Sequence, residues 1–318
     1  QVSLDDFSKK LSIGILIVCA IVFALSLYRG TTIIDSLMFA VALAVAAVPE
    51  ALTSIVTIVL AIGTQKMAKE NAIVKKLRAV EGLGSVSVIC SDKTGTLTQN
   101  KMTVKKVYVD NKLIDGLDLD INNEVENYLL HSSILCNDSS SKDGIEIGDP
   151  TEVALVNLGQ KINISEISAR ENFKRLAELP FDSDRKLMST LNSYDNKNIM
   201  FTKGAFDVLL DRIKFIKTSE GVKPITYEDK QNIINTNKEL SENGLRVLAF
   251  AYREFENSKE LTLDDENEYT FLGLISMIDP PREESAPAVA DCITAGIRPV
   301  MITGDHKITA TAIAKQIG

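Results

Sequence analysis

At 318 residues with a formal net charge of −8, the chain is long enough for two or three domains and has no basic-aromatic stretch to bind nucleic acid. Its four cysteines, Cys19, Cys90, Cys136 and Cys292, lack metal-ligand spacing and read as buried thiols of a reducing compartment, not a disulfide frame. A mean hydropathy of +0.06 hides a division, because the first 65 residues are mostly apolar and the remainder has soluble character. The chain starts without Met or a cleavable-signal pattern, so it is expected to be cut from a longer one.

Residues 11–28 form an uncharged apolar run long enough for one spanning helix. After the turn Arg29-Gly30-Thr31-Thr32, residues 33–62 form a second. Lys9 and Lys10 flank the first run, and Lys66, Lys69, Lys75, Lys76 and Arg78 follow the second, which places both outer ends in the cytoplasm. Two buried helices of a soluble core are the alternative. The second run contains Val45-Ala46-Ala47-Val48-Pro49-Glu50-Ala51-Leu52. A carboxylate at membrane depth costs about 2.5–3.5 kcal/mol on insertion scales and therefore points to function. Pro49 has no N–H for the Val45 carbonyl and biases Val48 away from helical angles, so a helix break is expected here. Free carbonyls near Val45, Ala46 and Val48 beside Glu50 would make an oxygen-rich site for a hard cation. The plainer reading is a proline kink with Glu50 hydrogen-bonded to a neighbouring helix.

Residues 66–83 are expected to continue as a polar-faced helical stalk. Residues 84–89 have the small and β-branched composition of a buried strand, which leads into Cys90-Ser91-Asp92-Lys93-Thr94-Gly95-Thr96-Leu97-Thr98. A carboxylate where a parallel strand ends sits where open α/β sheets gather their chemistry, and Asp can attack a phosphoryl group. Gly95 frees the backbone to approach an anion, and the hydroxyls and Lys93 can hold phosphate oxygens. Turn residues after a strand are the alternative. Residues 101–109 alternate as a strand leaving the site. Residues 110–277 then read as a separate α+β insert, an antiparallel sheet flanked by helices. Its helices are expected over 124–135, from Asp149-Pro150, and over 226–243 with Gly244 as the stop. Its strands are expected over 173–179, 186–191, 198–203, 245–252 and 269–277. Asp279-Pro280-Pro281-Arg282 is a rigid segment suited to returning the chain to its first domain. A helix over 284–295, a strand over 297–302, Thr303-Gly304-Asp305 and a helix over 307–317 make a second phosphate-binding turn. Pro299 marks a bend or an edge of that strand. His131 reads as a face residue of its helix and His306 as a helix-start surface residue.

The seven residues from Asp92 to Thr98 resemble the phosphorylation signature of P-type ATPases. Val-Ala-Ala-Val-Pro-Glu is similar to the fourth transmembrane helix of the type II pumps, the calcium pumps above all, with Ala51 in place of the usual Gly; the Cys-Pro-Cys of heavy-metal pumps is absent. Four spots resemble the pumps' nucleotide-binding domain. Gly148-Asp149-Pro150-Thr151-Glu152 implies that Glu152 approaches the adenine amino group. Phe181-Asp182-Ser183-Asp184-Arg185-Lys186 implies that Phe181 stacks on adenine with Lys186 nearby. Thr202-Lys203-Gly204-Ala205 implies that Lys203 and Gly204 belong to the pocket, and Leu245-Arg246-Val247-Leu248 that Arg246 reaches the phosphates. An aromatic face binds a purine and cations hold a triphosphate; taken singly, Phe181 would be a core residue and Lys203 or Arg246 a surface charge. Asp-Pro-Pro-Arg resembles the second hinge strand, and Thr303-Gly304-Asp305 the second motif of the haloacid-dehalogenase superfamily, in which Thr303 would donate to phosphoryl oxygens.

The resemblance implies a multidomain chain. It would comprise a transmembrane helix pair (1–65), a Rossmann-like α/β phosphorylation domain of haloacid-dehalogenase type (66–109 and, incomplete, 278–318) and an inserted α+β nucleotide-binding domain (110–277). The implied function is ATP-driven transport of a cation, calcium first, through an aspartyl-phosphate at Asp92, with Mg²⁺ held by the Asp92 carboxylate and the Thr94 carbonyl. Val45, Ala46, Val48 and Glu50 would bind the transported ion. The protein would be a multi-pass membrane protein in a lipid bilayer, with its soluble domains cytoplasmic and a monomer expected. The piece alone is expected to be inactive. The alternatives are a pump for Na⁺, K⁺ or Mg²⁺, or a membrane-tethered phosphohydrolase of the dehalogenase type. Thr94 stands where those phosphatases carry a second Asp.

Overall fold

The structure is a computed structural model that describes residues 2–318 except 48, 49, 78, 143, 257–259 and 306, with backbone alone for 2–9 and 50–54. The chain separates into two units, Gln1–Ser87 and Val88–Gly318.

In the first unit, α1 (Val2–Tyr28) and α2 (Ile33–Ala47) pack on each other, with Cys19, Ser36 and Ala40 buried. Their turn needs Gly30 at φ +87° and is tied by the Thr31 hydroxyl, which donates to the Ser26 carbonyl at 2.6 Å. Residues 10–28 are long and apolar enough to cross a membrane. At 15 residues, α2 is about 22 Å long, short of a hydrocarbon core of about 30 Å. Within the expected 33–62 run the described residues are helical as α2, up to Ala47, and as α3 (Glu50–Lys69). Val48 and Pro49, where the break was expected, lie outside the described residues. Leu16, Ile34, Met38, Phe39 and Val59 are exposed, unlike the packed face of a soluble core helix. The stalk is not one helix: α3 stops at Lys69, Asn71 takes a left-handed φ of 60°, and helix resumes as α4 (Ala79–Leu83).

The second unit runs β1 (Val88–Asp92), β2 (Thr103–Val109), β3 (Lys112–Asp115), α5 (Glu124–Leu135), β4 (Ser140–Lys142), β5 (Ile145–Ile147), α6 (Pro150–Lys161), α7 (Glu166–Asn172), β6 (Arg175–Asp182), β7 (Leu187–Tyr194), β8 (Lys197–Gly204), α8 (Phe206–Leu210), β9 (Ile213–Thr218), β10 (Gly221–Pro224), α9 (Tyr227–Glu242), β11 (Arg246–Phe255), β12 (Tyr269–Ile278), α10 (Ser285–Thr294), β13 (Arg298–Ile302) and α11 (Lys307–Gln316). Among the described residues, nine strands share one sheet in the order β10-β9-β12-β11-β8-β7-β6, with β2 also on β12 and β3 on β2. The sheet is mixed where an antiparallel one was expected, because β9 and β12 run parallel. The ten residues of β12 pair first with β9 and then, from Gly273, with β2. The strand expected to leave the site is thus a member of the large sheet. Leu129, Ile134 and Leu155 of α5 and α6 pack with Phe201 and Phe250 in one core; Leu209 and Ile233 of α8 and α9 pack with Met200 and Phe271 in another.

A separate two-stranded sheet pairs β1 with β13 in parallel, Asp92 opposite Ile302. Cys19 and Cys136 are buried as expected; Cys90 is exposed and Cys292 half-buried, because β1 and α10 are covered on only part of their surface.

Candidate functional site

β1 delivers Asp92 to its end, and the backbone leaves through a turn over 93–97 in which Gly95 adopts φ +73°. Lys93 points inward, only 6% exposed, and its ammonium pairs with the Asp305 carboxylate beyond β13. A buried ammonium requires such a partner, and Asp305 supplies it. The Asp305 N–H donates to the Thr303 hydroxyl at 3.1 Å, closing the second turn around Gly304. Asp92 and Thr94 stay exposed. Asp279 holds the first turn from behind: its carboxylate accepts from the Thr98 hydroxyl and, at 3.0 Å, from the Lys101 N–H. Arg282 donates its N–H to the Leu97 carbonyl at 2.9 Å and its guanidinium to the Gly95 carbonyl at 2.9 Å.

A cavity of about 500 Å³ opens beside these turns, lined among others by Lys93, Thr94, Asp279, Asp305, Thr151 and Arg246. The Arg246 guanidinium donates to the Thr151 hydroxyl at 2.9 Å. Thr151 lies in the first turn of α6, capped by Asp149, whose carboxylate accepts the Thr151 N–H at 2.8 Å. The next residue, Glu152, faces another way. It pairs with Lys203 and accepts from the Asp138 N–H at 3.0 Å and the Ser139 hydroxyl at 3.1 Å. Lys203 is 5% exposed and also donates to the Cys136 carbonyl at 2.6 Å. Burial raises the Cys136 thiol pKa, which keeps it a neutral packing group beside Lys203.

Phe181, at the end of β6, is 61% exposed, so the core reading fails for it. Lys186 follows at φ +56° with its ammonium 3.7 Å from Asp207. Its carbonyl accepts the Ala205 N–H at 3.1 Å, and Gly204 is packed against the same carbonyl. Thus Asp92, Lys93, Thr94, Thr303, Gly304, Asp305 and Arg246 gather around the two turns, whereas Glu152 with Lys203, and Phe181 with Lys186 and Gly204, form neighbouring clusters off that cavity. Of the ion-site residues, Val45 and Ala46 are exposed at the end of α2; Val48 and the Glu50 side chain lie outside the described residues, as does His306.

Several contacts had no signal in the sequence. Lys101 pairs with Glu146, whose carboxyl is held below its usual range chiefly by that hydrogen bond and by Asn157 at 2.9 Å. Arg170 and Arg175 donate to the Asn137 carbonyl at 3.0 and 2.8 Å and so shape the loop that grips Glu152. His131, expected on the helix surface, is packed against Phe173 and Tyr194 and shares a 2.8 Å hydrogen bond with the Tyr194 hydroxyl.

The family profile "P-type ATPase, cytoplasmic domain N" matches residues 126–284. The calcium-transporting ATPase lmo0841 of Listeria monocytogenes is 49% identical over 336 residues, covering 100% of this chain and 38% of its own. The calcium-transporting ATPase 1 of Lactococcus lactis is 49% identical over 330 residues with the same coverages. The cation-transporting ATPase pma1 of Synechocystis is 40% identical over 344 residues, covering 98% of this chain and 37% of its own. The chain therefore spans 37–38% of the length of these relatives. With the seven strands β6 to β12 of the large sheet inside the matched stretch, and relatives up to 49% identical over the whole chain, the chain belongs to the P-type ATPase family.

Proposed function

We propose that this chain is the membrane-helix, phosphorylation-loop and nucleotide-binding part of an ATP-driven calcium pump working through an aspartyl-phosphate at Asp92. The observation that carries the reading is the joining of the two turns: β1 and β13 run parallel, Lys93 pairs with Asp305, and Arg246 lines the cavity beside them. Calcium is taken from the names of the relatives.

Arg246 holds the triphosphate, and Phe181, Lys186, Lys203, Gly204 and Glu152 serve the base end. An Asp92 carboxylate oxygen attacks the γ-phosphorus of ATP. The new O–P bond forms as the bond to the β–γ bridging oxygen breaks, and ADP leaves with that electron pair. Lys93 and Asp305 keep the two turns in register, and the Thr303 hydroxyl donates to a phosphoryl oxygen. The Asp92 carboxylate and the Thr94 carbonyl are the hard oxygen donors that suit Mg²⁺, which takes few protein ligands beside phosphates. When bound, that ion neutralises charge on the phosphoryl oxygens. α1 and the apolar helices after it cross the bilayer with the lysine-flanked ends cytoplasmic, and the carbonyls near Val45, Ala46 and Val48 with Glu50 bind the transported calcium.

The test is labelling of the complete protein in membranes with γ-³²P-ATP. A calcium-dependent label that hydroxylamine removes is expected, lost in Asp92→Asn, with its calcium dependence abolished in Glu50→Gln while ATP still binds. A label that survives Asp92→Asn would refute the nucleophile, and unchanged calcium dependence in Glu50→Gln would refute the ion site.

A further inference from the structure

One buried charge cluster is not used by the reaction described so far. Glu266, which follows a short 3₁₀ turn, Leu263–Asp265, and precedes β12, has a carboxylate with 0% exposure. Desolvating a carboxylate costs several kcal/mol unless it is paired and hydrogen-bonded. Glu266 pairs with the Arg185 guanidinium, accepts from the Ser189 hydroxyl at 2.6 Å and lies 3.5 Å from Arg212, which also donates to the Glu266 carbonyl at 3.1 Å.

Arg185 belongs to the turn that carries Phe181 and Lys186. Within that turn its guanidinium donates to the Pro180 carbonyl and its N–H to the Asp182 carboxylate at 2.9 Å. The Lys186 N–H donates to the Asp182 carbonyl at 2.6 Å. Glu266 therefore grips the inner side of a turn whose outer side presents an exposed aromatic ring and a lysine. The same carboxylate reaches β8 through Ser189, whose hydroxyl lies 2.8 Å from that of Thr202, and Thr202 donates to the Tyr269 hydroxyl at 3.0 Å. An apolar filler would stabilise this core as well as an ion pair does. What the pair adds is a fixed direction for the Arg185 backbone.

We propose that Glu266 is a positioning residue for nucleotide, acting through Arg185 to set the 181–186 turn so that Phe181 and Lys186 meet the base. This rests on the reading of Phe181 and Lys186 as nucleotide contacts. The experiment uses the 318-residue chain in detergent with ATP as probe, measuring the dissociation constant and the hydrogen exchange of the 184–186 amides. Glu266→Gln is expected to weaken ATP binding about fivefold and to speed exchange at those amides. Acting through Phe181, it should cost less than about twofold in a Phe181→Ala background. Should Glu266→Gln fail to fold, Arg185→Gln makes the same test, since Glu266 then keeps Arg212 and Ser189. Unchanged exchange and affinity in both variants would overturn the proposal, as would an affinity loss undiminished by Phe181→Ala, the mark of general damage. If exchange responds but Phe181→Ala alone leaves ATP binding unchanged, the role in nucleotide binding is overturned through failure of the site reading, and the grip on the turn stands.

Discussion

At the scale of single residues, the two partners of the Glu152–Lys203 pair are not equivalent. Remove Lys203 and Glu152 still accepts from the Asp138 N–H and the Ser139 hydroxyl. Remove Glu152 and a nearly buried ammonium keeps only the Cys136 carbonyl. Stranding a buried charge costs about 3–5 kcal/mol, so Glu152→Ala should lower unfolding stability by about that much and Lys203→Met by clearly less. Urea unfolding followed by circular dichroism measures both, and equal losses would contradict the asymmetry. His131 offers a pH test. Burial lowers its pKa below the usual 6.5. The unfolded chain then binds a proton at higher pH than the folded one, so stability rises with pH across that interval. The contribution is complete above about pH 6.5 and is lost as the pH falls through the lower folded value. His131→Gln, which can still meet the Tyr194 hydroxyl, should flatten this acid limb between pH 7 and 5; an unchanged slope would locate the proton elsewhere.

At the scale of elements, the approach of β8 to the Lys186 turn depends on Gly204. A Cβ there would strike the Lys186 carbonyl oxygen and come within 3.1 Å of the Leu187 Cα, backbone atoms that cannot swing aside. Gly204→Ala should therefore cost about 1–3 kcal/mol and, by shifting the turn, weaken ATP binding; calorimetry that finds ATP affinity unchanged would separate the turn from the nucleotide. Local chemistry made many elements legible before the structure. α5 has its expected bounds, opened by Asn123, whose side chain accepts the Val125 N–H at 3.0 Å. α9 begins with the reciprocal Thr226–Asp229 box and ends before Gly244 at φ +76°. The β9–β10 hairpin went unread because its strands are only six and four residues long. The stalk was misread because its polar composition suits a helix while Asn71 turns left-handed. Site pairs were the least legible: Lys93 with Asp305 and Arg185 with Glu266 join residues 212 and 81 positions apart, which no local spacing encodes. Motif resemblance named the candidate site residues, but not what each one touches.

At the scale of the whole molecule, the nine-stranded sheet and the β1–β13 pair of the second unit are unequal supports. The nine-stranded sheet has a core on each face. Among the described residues, β1 and β13 form only a pair and leave Val88, Ile89 and Ile302 exposed. Parallel strands are normally covered on both faces, and a two-stranded sheet has little stability of its own. On the proposed function, nucleotide binding would rest on the firm sheet, and the proposed nucleophile Asp92 on the weaker one. Local opening is set by such differences in burial, so the β1 and β13 amides of the 318-residue chain should exchange much faster than those of β7, β8 and β11. A turn that opens this readily cannot hold Asp92 within attacking distance of a phosphorus for long, and orientation is a large part of the barrier in phosphoryl transfer. The 318-residue chain is accordingly expected to bind ATP without sustained turnover. In the complete protein, the same β1 and β13 amides should become protected and Asp92 labelling should appear. Hydrogen exchange of both forms, with ATP hydrolysis assayed beside it, makes the comparison. Sustained turnover by the 318-residue chain that is lost in Asp92→Asn would show that the two-stranded sheet suffices to hold the nucleophile.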